Sequence, residues 1–148
     1  MRKMITVLAA GALLVSLTSA PAIAGKKKRV HETFGANLLP FPNLSSHTGT
    51  ARSGCSAGQE DVHWVGAPFK APGNGTLRLW MEDFTGDHDL YVYDGEVKLA
   101  ESINDQTEGA PPEEELNLSM TKGQEVVLIA CNWAGEPEVL AHYEGIFR

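Results

Sequence analysis

The sequence predicts an all-β protein, an antiparallel β-sandwich of seven to eight short strands. Three observations point there. From Glu60 onward the apolar residues alternate with polar ones or form short unbroken runs. Turn signals return every 8–15 residues, and no stretch after the N-terminal leader keeps a helical period. A length of 148 residues suits one domain, and a chain that is 43% hydrophobic and 21% charged is globular in composition.

Residues 1–24 read as a signal peptide. Arg2 and Lys3 precede the apolar stretch Ile5–Leu17, and Ala22-Ile23-Ala24 has the small-x-small pattern of a cleavage site. The apolar run of 13 residues falls short of the roughly 20 needed to cross a bilayer. The expectation is export, to the extracellular space or the periplasm, with no stable membrane anchor. Cleavage removes two basic residues and no acidic ones, leaving 10 basic against 19 acidic and a net charge of −9. Such a chain is a poor match for nucleic acid or anionic membrane surfaces. The expected partner is an extracellular protein or a polysaccharide, and the expected state a monomer.

Residues 25–58 read as an extended arm. They open on Gly25-Lys26-Lys27-Lys28-Arg29 and pass through Pro40, Pro42, Ser45, Ser46, Gly49, Ser53 and Gly54 with no lasting apolar period. The basic cluster has three readings: solubility of a freshly exported chain, a proteolytic site, or a polyanion-binding patch. The sandwich is expected over residues 59–148. Asp61-Val62-His63-Trp64-Val65 leads to Phe69 and stops at Ala71-Pro72-Gly73-Asn74-Gly75, a dense turn signal. In Thr76–Glu82, Leu77, Leu79 and Met81 share one face, Arg78, Trp80 and Glu82 the other. Phe84-Thr85-Gly86-Asp87 turns the chain into Leu90-Tyr91-Val92-Tyr93, and Asp94-Gly95 signals a hairpin to Val97–Leu99. Residues 104–115 are acidic and broken by Pro111 and Pro112, so they read as a loop. Leu116, Leu118 and Met120 alternate, Lys122-Gly123 turns, and Val126–Cys131 is an unbroken apolar run typical of a strand covered on both faces. Alternation over Leu140–Phe147 supplies the last strand.

Cys55 and Cys131 are the only cysteines, and two thiols in one small exported domain usually pair. Their bond would close a loop across 76 positions and staple the arm onto a core strand.

The series Asp61-Val62-His63-Trp64, Gly75-Thr76-Leu77-Arg78-Leu79, Gly86-Asp87-His88-Asp89-Leu90-Tyr91-Val92-Tyr93-Asp94-Gly95 and Gly123-Gln124-Glu125-Val126-Val127-Leu128-Ile129 resembles the bacterial pre-peptidase C-terminal (PPC) domain. The resemblance covers about residues 59–148. It implies a jelly-roll-like sandwich serving as a non-catalytic accessory module of exported enzymes, with relatives in bacterial collagenases that bind calcium and collagen. One departure is Glu125-Val126-Val127-Leu128, which stands where such domains carry Gly-x-Tyr-Tyr.

Asp87 and Asp89 lie two apart, so on an extended segment their side chains share a face, with Cα atoms about 7 Å apart. Either they cap the turn through backbone N–H groups, or they contribute to a calcium site, since that hard cation takes six to eight oxygens. The resemblance adds Glu60, Asp61 and Asp83 as neighbours, which makes calcium the candidate cofactor. The spacing is not that of an EF-hand, because Tyr91 and Val92 replace a ligand and the turn glycine. If Leu77, Leu79 and Met81 face the core, Trp80 faces outward. By alternation one of the pairs Leu90/Val92 and Tyr91/Tyr93 faces the core and the other does not. Trp80 with Tyr91 or Tyr93 would then form a stacking platform for sugar rings or a protein partner, unless the arm packs over them. Trp64 and Trp133 read as core residues. Catalysis is not expected. The five histidines, His31, His47, His63, His88 and His142, come with neither a G-x-S-x-G elbow nor an H-E-x-x-H motif. A small secreted hydrolase is the remaining alternative.

Overall fold

The computed structural model describes residues 26–40, 55, 62–103 and 113–148. Eight strands follow one another: β1 (Lys28–Asn37), β2 (Trp64–Lys70), β3 (Gly75–Glu82), β4 (Gly86–Asp94), β5 (Val97–Ser102), β6 (Glu113–Met120), β7 (Glu125–Gly135) and β8 (Glu138–Phe147). They form two four-stranded antiparallel sheets, ordered β1-β8-β3-β6 and β2-β7-β4-β5. The pairs β1–β8, β2–β7, β3–β6 and β4–β5 nest inside one another, as in a single long hairpin rolled up on itself. That is the jelly-roll arrangement of an antiparallel sandwich.

Two-residue alternation places the core between the sheets. Leu77, Leu79 and Met81 of β3 point inward with Leu116 and Met120 of β6 and with Ala141, Tyr143 and Phe147 of β8. They meet Leu90 and Val92 of β4 and Val126, Leu128 and Ala130 of β7. Leu77, Leu79, Leu90, Leu128 and Phe147 have no exposed surface, and burial of each such side chain contributes roughly 1.5–3 kcal/mol. At the β4–β5 hairpin the loop residues are Gly95 and Glu96, between the paired Asp94 and Val97. Gly95 takes the positive φ of 57° that a tight two-residue loop needs at its first position.

The sandwich begins earlier than expected. β1 falls within residues 25–58, read above as an extended arm preceding the sandwich, yet all ten of its residues pair with β8. As an edge strand it buries little: only Val30 and Phe34 reach the core, and both are half-buried. Its charged residues also suit an edge that must not pair with another chain. Tyr143 ties it down further by donating its hydroxyl proton to Glu32 Oε2 at 2.6 Å. Burial, then that carboxylate, pushes the Tyr143 phenol up to about 12. A second correction concerns residues 113–115, expected in a loop. They open β6, with Glu114 buried and accepting a hydrogen bond from Ser102 Oγ of β5.

The outer face of the second sheet is also apolar. Tyr91, Tyr93, Ile129, Cys131 and Trp133 form a second buried cluster with Cys55, and Trp64 packs half-buried against it. Cys55 and Cys131 are disulfide-bonded, with Cα atoms 6.1 Å apart. β7 therefore has both faces covered, as its unbroken apolar run implied.

Candidate functional site

Strand pairing fixes the outer face of the first sheet residue by residue. One row across it runs Thr33, His142, Trp80 and Glu115, and the next runs His31, Glu144, Arg78 and Asn117. A third adds Arg29, Ile146, Thr76 and Ser119. Trp80 is half-buried at the centre. Its indole stacks on the His142 ring, with centroids 5.2 Å apart and planes at 22°, and His31 approaches to 6.0 Å. The Arg78 guanidinium lies 4.5 Å from the indole centroid. Glu115 Oε2 at 2.6 Å and Glu144 Oε1 at 3.5 Å hold it there. Asn117 Nδ2 in turn donates to Glu115 Oε1 at 3.0 Å. The Glu115 carboxyl is held below its ordinary range, first by the Arg78 hydrogen bond and then by Asn117. These groups are too exposed for the ion pairs to stabilise the fold much. Their consequence is geometric, since they fix a cation against the indole.

Two clefts flank this centre. The larger, about 840 Å³, is lined by Arg29, His31, Thr76, Arg78, Glu144 and Arg148 among others. The smaller, about 490 Å³, includes Glu82, Asp83, His88, Glu136, Glu138 and His142. β8 runs from one to the other and presents Leu140, 51% exposed, and Ile146, 50% exposed, on either side of His142 and Glu144.

The expected site residues separate. Trp80 is on the outer face, as read from β3. Tyr91 and Tyr93 are not available beside it, since they lie buried on the opposite sheet, Tyr91 without exposed surface and Tyr93 at 9%. Alternation does divide β4 correctly, but both of its faces are covered, so Leu90/Val92 and Tyr91/Tyr93 are all inside. Asp83 is exposed on the β3–β4 loop with φ 60° and lines the smaller cleft. Asp89 sits within β4 rather than in the turn, 2% exposed, and accepts the Tyr91 hydroxyl at 2.7 Å. Asp87 is half-buried two residues before it. Glu60 and Asp61 lie outside the described residues, as do His47 and residues 104–112. Among the described residues no three His, Cys, Asp or Glu side chains come close enough to hold a metal ion. Sequence reading named Arg29 only within a basic cluster with a polyanion-binding reading, and His31 and His142 only as histidines without a catalytic motif; it missed Arg148. These residues come from segments far apart in the sequence and meet only because β1 pairs with β8.

His88 lies on the inner side of β4, without exposed surface, edge-on to Phe84 at 4.9 Å. Its Nε2 is 3.2 Å from the Glu136 carbonyl oxygen, and its Nδ1 has no partner. Only Nε2–H can donate to that carbonyl, so the neutral ring carries its proton there and leaves Nδ1 bare. Burial holds the imidazole below its ordinary value of 6.5, partly opposed by the Glu136 carbonyl. With the folded value depressed, the unfolded chain binds the proton first. Stability is then full above pH 6.5 and falls as the pH drops toward the folded value. Urea melts between pH 7.5 and 5 should show this component, with a slope of at most about 1.4 kcal/mol per pH unit. It should vanish in His88→Gln; an identical pH dependence in that variant would refute the assignment.

No protein-family model matches this chain, and no curated protein shows significant similarity to it.

Proposed function

We propose that this protein is an exported, non-enzymatic binding module whose ligand face is the outer face of the first sheet, and that the ligand is a polysaccharide. The observation that carries the reading is Trp80, held on the outside of a rigid sheet by His142 and Arg78, between two clefts. An indole combines a broad apolar area with a polar edge, which suits the face of a sugar ring. Exposed Leu140 and Ile146 on the same strand extend the apolar surface along β8. Hydrogen-bonding side chains at Asn117, Glu115 and Glu144 stand within the same rows and match hydroxyl groups. A non-catalytic role fits the polar chemistry elsewhere. His63 Nδ1 and His88 Nε2 point at main-chain carbonyl oxygens, and both cysteines are in the disulfide. The PPC-like order of residues 59–148 supports an accessory role of this kind. Calcium is not part of the proposal, because the Asp89 carboxylate is buried against Tyr91.

The test is affinity electrophoresis or calorimetry across soluble polysaccharides with the native protein and Trp80→Ala. Truncating a central aromatic contact should cost about 2 kcal/mol, a loss of roughly thirtyfold in affinity. A polysaccharide bound equally well by Trp80→Ala would remove the first sheet as the ligand face.

A further inference from the structure

We infer that the polysaccharide is an acidic one, carrying carboxylate or sulfate groups, and that the larger cleft beside Trp80 receives those groups. The inference rests on the binding role proposed above and narrows its ligand.

The charge of the cleft runs against that of the chain. Acidic residues outnumber basic ones 19 to 12 overall, and five arginines are present in all. Three of them, Arg29, Arg78 and Arg148, line this one cleft with His31, while Glu144 is its one acidic lining residue. Among the described residues no carboxylate pairs with Arg29 or Arg148; the ion pairs of the cleft are those of Arg78 with Glu115 and Glu144. Arg29 is paired in register with Ile146, whose other neighbour is Thr76 of β3. Arg29 and Arg78 thus stand on opposite sides of β8 and in adjacent rows, two strand spacings across and two residues along, or about 12 Å apart at Cα. Two arginines rooted at that spacing suit anionic substituents along an extended chain better than one compact anion. Their planar forks suit carboxylate and sulfate oxygens alike.

Binding of the purified protein is measured with alginate (carboxylate), dextran sulfate, neutral dextran and poly-glutamate, at low salt and at 0.5 M NaCl, a concentration that screens exposed charges beyond a few ångströms. Trp80→Ala, Arg29→Gln and Arg78→Gln are compared with Lys98→Gln, a charge change on the other sheet. One of the two acidic polysaccharides should bind at least tenfold tighter than dextran at low salt, and which one does so tells carboxylate from sulfate. That advantage should collapse at high salt and fall in Arg29→Gln and Arg78→Gln but not in Lys98→Gln. Dextran bound as tightly as the acidic polymers, in a Trp80-dependent way, overturns the acidic preference and leaves the binding role standing. No binding to any polysaccharide overturns both. Equal weakening by Lys98→Gln and Arg29→Gln, or tighter binding of poly-glutamate untouched by Trp80→Ala, also overturns the inference.

Discussion

Replacing Cys55 and Cys131 together by alanine is expected to lower stability by about 4 kcal/mol, chiefly because the unfolded chain gains freedom. The bond joins positions 76 apart, and a loop of that size restrains the denatured ensemble strongly. A single domain of this length has a net stability of only about 5–15 kcal/mol, so the loss removes a large part of it. Packing adds to the effect. Cys55 and Cys131 are fully buried among Tyr91, Ile129 and Trp133, so the bond also anchors the cover of the second sheet. Urea denaturation separates the contributions. Reduced wild-type protein keeps the sulfur volume and loses the restraint, whereas the double variant loses both. Each should show a lower midpoint, and each should show a steeper slope because the unreduced denatured state is more compact. Near-ultraviolet circular dichroism should weaken in parallel as the Tyr91 and Trp133 surroundings loosen. A reduced protein that melts within a degree or two of the oxidised one would contradict the argument.

The inter-sheet core was legible in the sequence because a half-buried strand writes its period into its own residues. Leu77, Leu79 and Met81 identify β3 without help from any other segment, and the run Val126–Cys131 marks a strand covered on both sides. β1 was not legible for a matching reason. An edge strand with two half-buried residues, Val30 and Phe34, has almost no period to read. Glu113–Glu115 reads as a solvated charge run because the Ser102 hydroxyl that meets the buried Glu114 carboxylate comes from another strand. The tyrosines show the limit of alternation. It separates Leu90 and Val92 from Tyr91 and Tyr93 correctly, but it does not reveal that the outer face is covered as well. That cover includes Cys55, 36 positions before Tyr91 and visible in advance only through the cysteine pairing.

The candidate site divides in the same way. Trp80 and Arg78 announce themselves locally on β3, whereas Arg29 and Arg148 depend on long-range pairing: Lys28 opposite Phe147 brings β1 alongside β8. The two outer faces of the fold thus differ in how they are covered. The second sheet's is closed by a disulfide-anchored aromatic cluster, and the first sheet's keeps Trp80, Leu140 and Ile146 at the surface.

Changing Asn132 should be among the most damaging single substitutions in the chain. This fully buried side chain sits near the end of β7, where the ladder with β4 slips between Asp87 and His88. Its Nδ2 donates to the carbonyl oxygens of Leu38 at 3.1 Å, Gly135 at 3.2 Å and Glu136 at 3.0 Å, and its Oδ1 accepts from Gly135 N at 2.8 Å. It therefore ties the β7–β8 turn to the segment that leaves β1, beside the main-chain bond from Leu38 N to the Pro137 oxygen. Asn132→Ala leaves these buried groups without partners and should cost roughly 2–4 kcal/mol. Asn132→Asp preserves the shape but points a carboxylate at three carbonyl oxygens, with Gly135 N as its one remaining donor. It should cost at least as much at pH 7, about 3–5 kcal/mol. The two variants differ in their response to acid. Carbonyl neighbours and burial raise the folded pKa of the new carboxyl above its unfolded value. Its protonated form is then favoured in the fold, and the deficit shrinks as the pH falls toward the unfolded value. Urea melts at pH 7 and pH 4.5 should show the gap between Asn132→Asp and wild type narrowing in acid. The gap for Asn132→Ala should stay constant. An aspartate variant within 1 kcal/mol of wild type at pH 7 would mean that the turn finds other donors, and that Asn132 does not hold this end of the sandwich together.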